Sequence, residues 1–366
     1  MTDTTLAPPA APSLPESTPS TPSTPSTQGS PLLAPALRPG DRVAVISPSW
    51  GGAGQFPDRF ERGLSALYGY LGLTAVPARH ARATLDWRSA SAEQRAEDLN
   101  AAFRDDTVAA VLCAVGGDHA AQLLPLLDWQ AIREHPKVFC GYSDTTVLHH
   151  ALYAVCGLTT FYGPAVLPQF GDWPDPEEYT LDHFRAVTMT PRAAGAVPRA
   201  PHVVDELVDW ATYPPRSRHR RPAPRRTVLR PGSAEGPLLA GCLPSVRQLL
   251  GTPWQPPYAG HVLVLETPEG YSPADADRDL THLRNSGCLD DLAGLALGRV
   301  ARCDEQTRRR LHTVLLDAVA AYDYPVLADV ECGHTDPMAT LPIGVRCALD
   351  GDELRLLEPA VTASRT

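Results

Sequence analysis

Residues 138–157 read VFCGYSDTTVLHHALYAVCG, and the fold turns on them. An apolar run leads into Gly141, Tyr142, Ser143 and Asp144. Val147, Leu148, Ala151, Leu152 and Val155 then recur at helical spacing, and Gly157 supplies a helix stop. A buried strand that passes at once into a helix is the repeating unit of a parallel sheet.

Upstream the same unit recurs. RVAVIS from Arg42 reads as a buried strand ending in a loop of Pro48, Ser49, Trp50, Gly51 and Gly52. Phe60 to Leu71 is helical in pattern, and SAEQ at Ser91 to Gln94 is a capping box opening a helix that runs through Phe103. Val108 to Val115 forms a further strand, stopped by Gly116 and Gly117, with a helical stretch from Ala120 to Leu127. Alternation of this kind predicts an α/β fold with a doubly wound parallel sheet.

Downstream the texture changes. Residues 191–232 are rich in proline and arginine, with RSRHRRPAPRR at Arg216 to Arg226. After Gly236 a new unit begins, with strands expected at His261–Leu265, Leu295–Val300, Val326–Val330 and Val345–Leu349, and a helix at Gln306–Tyr322. The expected organisation is a disordered Pro/Ser/Thr-rich tail over 1–35 and an α/β domain over 36–195. A linker follows over 196–233, then a smaller β-rich domain over 234–366.

Composition narrows the function. Against 42 Asp and Glu there are 32 Lys and Arg, a net charge of −10, so no nucleic-acid partner is expected. The arginine run is read as a solvated loop, with a nucleic-acid contact or an anchor for an anionic substrate group as the other readings. The eight cysteines form no CxxC pair, which points to a reducing cytoplasm and no zinc site. No secretory signal and no membrane span is read.

Ser143 occupies a strand-to-helix turn at the positive end of a helix dipole, a nucleophile's position as well as a helix cap's. A serine hydroxyl needs a base and an orienting group to react near neutral pH. His334, in the irregular loop after Gly333, is the base candidate, and His119 its rival. His149 and His150 lie on the helix leading away from the turn and are read as packing or surface residues. Glu266, ending the strand HVLVL, is the orienter candidate, with Glu269 competing. The amides of Gly117 and Asp144 suit an oxyanion hole and Gly116 is read as a substrate-binding residue, while Gly116 and Gly117 equally suit a tight turn. Trp210 is read either as a substrate-stacking residue or as loop packing.

The chain resembles LD-carboxypeptidases, and within them the microcin C immunity peptidase branch. The resemblance spans residues 36–360 and rests on RPGDRVAVISPS, AVGGDHAAQLLPLLD, GYSDTTVLHHAL, FYGPAV, VLVLETPEGYSPADADRDL and GHTDPMATLPIG. It implies a flavodoxin-like first domain, a Ser143–His334–Glu266 triad in an interdomain cleft, no metal or organic cofactor, and a homodimer. The implied substrate is a small molecule or short peptide: an aminoacyl or peptidyl nucleotide in the immunity branch, an LD-linked tetrapeptide in the murein branch. Val115 stands where murein enzymes carry arginine, which favours the former. The segment Val204–Arg230, where immunity-type members carry aromatic and polar substrate contacts, does not match that branch closely.

Overall fold

The computed structural model describes residues 31–363. The expected tail falls largely outside them. Composition also places residues 31–35 in that tail, but the structure corrects this: Leu32 bridges to Leu158 and Pro35 to Thr362. A backbone partner waiting outside the segment, here on Leu158 and Thr362, outweighs weak local patterning.

Strands β1 (Arg42–Ile46), β2 (Thr74–Pro77), β3 (Val108–Cys113), β4 (Val138–Gly141) and β5 (Phe161–Tyr162) form the first sheet in the order β2-β1-β3-β4-β5. All these pairs are parallel, and the order is the flavodoxin-like one. The connections carry α1 (Gly52–Gln55), α2 (Pro57–Leu71), α3 (Ala92–Arg104), α4 (Trp129–Glu134) and α5 (Thr146–Cys156), with α6 (Glu178–Thr188) after β5. The Ser91–Gln94 capping box closes in both directions, and Gly157 ends α5 in the left-handed conformation. Residues 120–126 form a 3₁₀ rather than an α-helix, with Pro125 inside it; a proline there removes a helix donor.

The second sheet has a parallel centre built from β10 (Ser233–Cys242), β11 (Val262–Glu266), β12 (Gly294–Gly298) and β13 (Val326–Val330). Antiparallel strands β15 (Arg346–Asp350), β16 (Glu353–Leu356) and β6 (Gly195–Ala196) extend it beyond β10, and β9 (Thr227–Arg230) extends it beyond β13. Helices α7 (Leu243–Gln248), α8 (Pro273–Asn285) and α9 (Glu305–Ala318) lie between these strands in sequence. A separate ribbon pairs β7 (His202–Val203) with β8 (Arg221–Pro222). The final short strand, β14 (Leu341–Pro342), returns to the first sheet beside β5.

Cuts at 195 and 233 therefore do not separate the units. Strands β6 and β9, expected in the first domain and the linker, belong to the second sheet, and β14 belongs to the first. Such short edge strands are defined by the edge they meet, not by a pattern of their own. One apolar cluster runs from Val45 and Leu112 through Tyr162 to Val264 and Leu297, so the two sheets share a core. The C-terminal ends of β3, β4 and β5 meet those of β10 and β11 across a cleft, where ligands of open α/β sheets bind.

Candidate active site

The turn after β4 holds Ser143 at φ +65°, a left-handed conformation costing an L-residue roughly 1–2 kcal/mol. The surroundings enforce it. The Ser143 amide donates to the Tyr162 hydroxyl at 3.0 Å, and the Thr146 hydroxyl donates to the Ser143 carbonyl at 2.6 Å. One turn along α5, His149 Nε2 donates to the Gly141 carbonyl at 2.9 Å while Nδ1 accepts from Thr160 at 2.8 Å. Burial pushes His149 down to about 3, so it stays neutral and acts as a fixed strut. Ser143 is not the helix cap; α5 starts from Thr145 without a side-chain cap.

Across the cleft, His334 Nε2 lies 3.0 Å from Ser143 Oγ, and its Nδ1 lies 2.8 Å from Glu266 Oε2. Glu266 is completely buried as the last residue of β11. Its second oxygen, Oε1, accepts from the Tyr162 hydroxyl at 2.6 Å. Burial opposes charge on both partners. Against that penalty, Glu266, helped by Glu269 and Asp336, raises the His334 pKa above its ordinary 6.5. Glu266 is held below its ordinary value despite burial, by His334, Tyr162 and the Cys242 thiol. Gly333 is required here: at φ +106° a Cβ would come 2.7 Å from Glu266 Oε2.

Gly116 packs directly on Ser143, where a Cβ would lie 2.8 Å from the Ser143 Cβ and 3.3 Å from the Asp144 amide nitrogen. Gly117 follows at φ +146° and lines the same cleft. The Asp144 side chain is turned away to accept from the amides of His119 and Ala120, each at 2.8 Å. The His119 ring sits against Trp87, at 6.2 Å between centroids, so it is Asp144 that its backbone serves. Glu269 stands 3.9 Å from His334 Nε2 and is 40 % exposed, beyond hydrogen-bond reach and on the open side of the cleft.

The cleft has a volume of about 560 Å³. Trp210 forms part of its wall, stacked on Trp50 at 6.0 Å, edge-on to Phe56 at 5.4 Å and over the Arg59 guanidinium at 4.7 Å. The structure thus gives it a packed position with one side on the cleft. Arg218, from the arginine-rich loop, also lines the cleft. Cys242, Glu266 and His334 place their donor atoms within 4.8 Å of one another and could hold a metal ion; their carboxylate and imidazole are already engaged with each other, Tyr162 and Ser143. All eight cysteines are free. No helix among the described residues is long and apolar enough to cross a membrane.

Tyr162 and Arg218 receive no role from sequence reasoning. The FYGP segment carried a usable signal, an aromatic at a strand's carboxyl end beside the cleft. Arg218 had none beyond its membership of a charge run.

Residues 43–163 match the LD-carboxypeptidase N-terminal domain and residues 235–349 the LD-carboxypeptidase C-terminal domain. The chain is 31 % identical over 341 residues to the microcin C7 self-immunity protein MccF of Escherichia coli, covering 89 % of this chain and 95 % of that one. To the murein tetrapeptide carboxypeptidase of Pseudomonas aeruginosa it is 28 % identical over 320 residues, covering 86 % and 94 %. Among solved structures, MccF in complex with aspartyl sulfamoyl adenosine matches with a TM-score of 0.84 at 29 % identity, over 91 % of this chain and all of that one. With both domain matches in chain order and this likeness along nearly the whole length, the chain belongs to the LD-carboxypeptidase family, a family of serine peptidases.

Proposed function

We propose that the protein hydrolyses an amide bond of an aminoacyl or peptidyl nucleotide, using Ser143 as nucleophile, His334 as base and Glu266 as orienter. The observation that carries this reading is the continuous bond chain from Ser143 Oγ through both His334 nitrogens to Glu266, at 3.0 and 2.8 Å. Ser143 Oγ attacks the scissile carbonyl as its proton passes to His334 Nε2. Collapse of the tetrahedral intermediate breaks the C–N bond, and His334 returns the proton to the leaving amine. Water, deprotonated by His334, then cleaves the acyl-enzyme.

Glu266 fixes the tautomer through Nδ1 and stabilises the imidazolium. The oxyanion falls to the amides of Gly117 and Asp144, since the Ser143 amide is occupied by Tyr162. Among the described residues the Gly117 amide has no partner, leaving it available.

The nucleotide part of the reading is supported by the likeness to MccF bound to aspartyl sulfamoyl adenosine and by Trp50 and Trp210 in the cleft wall. The murein carboxypeptidase relative supports the alternative, an LD-linked tetrapeptide. Mass spectrometry on an aminoacyl-sulfamoyl adenylate and an LD-muropeptide, with Ser143→Ala as control, decides. Cleavage of the adenylate alone is expected; cleavage of the muropeptide alone assigns the protein to cell-wall recycling, and no cleavage of either rejects both substrates. A homodimer, implied by the family resemblance, and a cytosolic setting, read from the scattered cysteines, belong to the same proposal, and sedimentation velocity reads the first.

A further inference from the structure

The arginine-rich segment is the one sequence motif that the reaction leaves unused. Arg216 pairs with Glu206, Arg220 with Glu177 and Arg221 with Asp205, their own side chains largely exposed, and Arg226 is buried against Glu331. Arg218 goes into the Ser143 cleft and is 14 % exposed. Its Nε lies 3.1 Å from both oxygens of Asp172, while Nη2 reaches Asp172 at 2.5 Å and Asp336 at 2.7 Å.

Both carboxylates lead to parts of the site. Asp336 is two residues beyond His334, accepts from Gln169 at 3.1 Å, and exchanges two backbone bonds with Val204, at the start of the Trp210 segment. Asp172 accepts from Arg59 at 3.3 Å, and Arg59 carries the Trp210 ring. Two guanidiniums and two carboxylates, none more than 14 % exposed, thus balance one another. The planar guanidinium forks onto Asp172 while reaching Asp336; an ammonium has donors enough for two acids but not that fixed bidentate geometry.

We propose that Arg218 is a positioning residue that fastens the Trp210 wall of the cleft to the loop carrying His334, so that one latch sets both the substrate-binding surface and the base. The inference rests on the proposed reaction for its kinetic consequence, but not for its structural one. When the latch is open, the segment 205–222 lifts and its own arginines become trypsin sites. Proteolysis of this kind tracks the population of the open form.

The test uses the full-length protein with Arg218→Lys, Arg218→Ala and the surface control Arg220→Ala. Trypsin cleavage after Arg216 or Arg220, read by mass spectrometry and corrected for sites removed, is expected about tenfold faster in both Arg218 variants than in the wild type. On whichever panel compound the wild type cleaves, Arg218→Lys is expected to lose about tenfold in kcat/KM, chiefly through KM, while Arg220→Ala stays within about twofold. If Arg218→Ala does not fold, Arg218→Lys carries both measurements. An unchanged cleavage rate in folded Arg218→Lys overturns the latch, as does a wild-type KM in that variant. Should the wild type cleave neither compound, the proposed reaction fails, and proteolysis still decides the latch.

Discussion

Replacing Tyr162 by Phe tests whether the site works as one bonded unit. The hydroxyl accepts from the Ser143 amide at 3.0 Å and donates to Glu266 at 2.6 Å, in a side chain that is fully buried. Phe keeps the ring and removes both bonds. A hydrogen bond to a charged group contributes about 1.5–3 kcal/mol, and an orphaned buried amide costs about 1–3 kcal/mol. With partial repair by water, stability is expected to fall by roughly 2–4 kcal/mol. Part of that loss reaches the transition state, because Ser143 can relax from φ +65° and Glu266 is held less firmly. A loss of ~1.4–2.7 kcal/mol there lowers kcat about 10- to 100-fold.

The kinetic pattern separates this account from simple core damage. Tyr162 does not line the cleft, so KM should remain close to wild type. Its bond also draws charge from Glu266. Without it, Glu266 favours the imidazolium more strongly, and the acid limb of kcat/KM, which marks His334 losing its proton, should move to higher pH. Steady-state kinetics across pH, with urea melts for stability, measure all three effects. A destabilised Tyr162→Phe with wild-type kcat and an unmoved limb would refute the reasoning and leave Tyr162 as a packing residue.

Four further outcomes are expected. Ser143→Gly should abolish turnover while raising stability over Ser143→Ala by about 1 kcal/mol, since glycine takes positive φ without strain; denaturant melts of the two variants compare them. In the wild type the acid limb of kcat/KM should lie above pH 6.5, because His334 is raised, and it should move down in Glu266→Gln, together with a large loss of rate. Glu269→Gln should keep its rate within about threefold, as an exposed partner at 3.9 Å is screened; a loss equal to that of Glu266→Gln would transfer the orienting role. Gly116→Ala places a methyl against Ser143 and should cost about 10²- to 10³-fold in kcat, with near-ultraviolet circular dichroism confirming the fold.

How far the site could be read depended on what each residue answers to. Ser143 and His334 follow the strands VFCG and VLADV and Glu266 ends the strand VLVLE, whose local patterns are strong enough to place their ends within a residue or two. A chemically competent side chain at such an end is legible because the strand fixes where it emerges. Tyr162 closes a strand of two residues, too short to carry a period, and its partner Glu266 lies 104 residues away. Arg218 is the sharper case. Read locally, it belongs to a solvated charge run, yet its two acids lie 46 and 118 residues distant and only the meeting of the two sheets brings them within reach. The same cause hid β6, β9 and β14, each recruited by an edge of the other unit. The chemistry of the reacting groups is therefore written in local pattern, whereas the residues that hold those groups in register are written in the contact between the sheets. Mutations of the second kind should then loosen alignment before they remove any reacting atom.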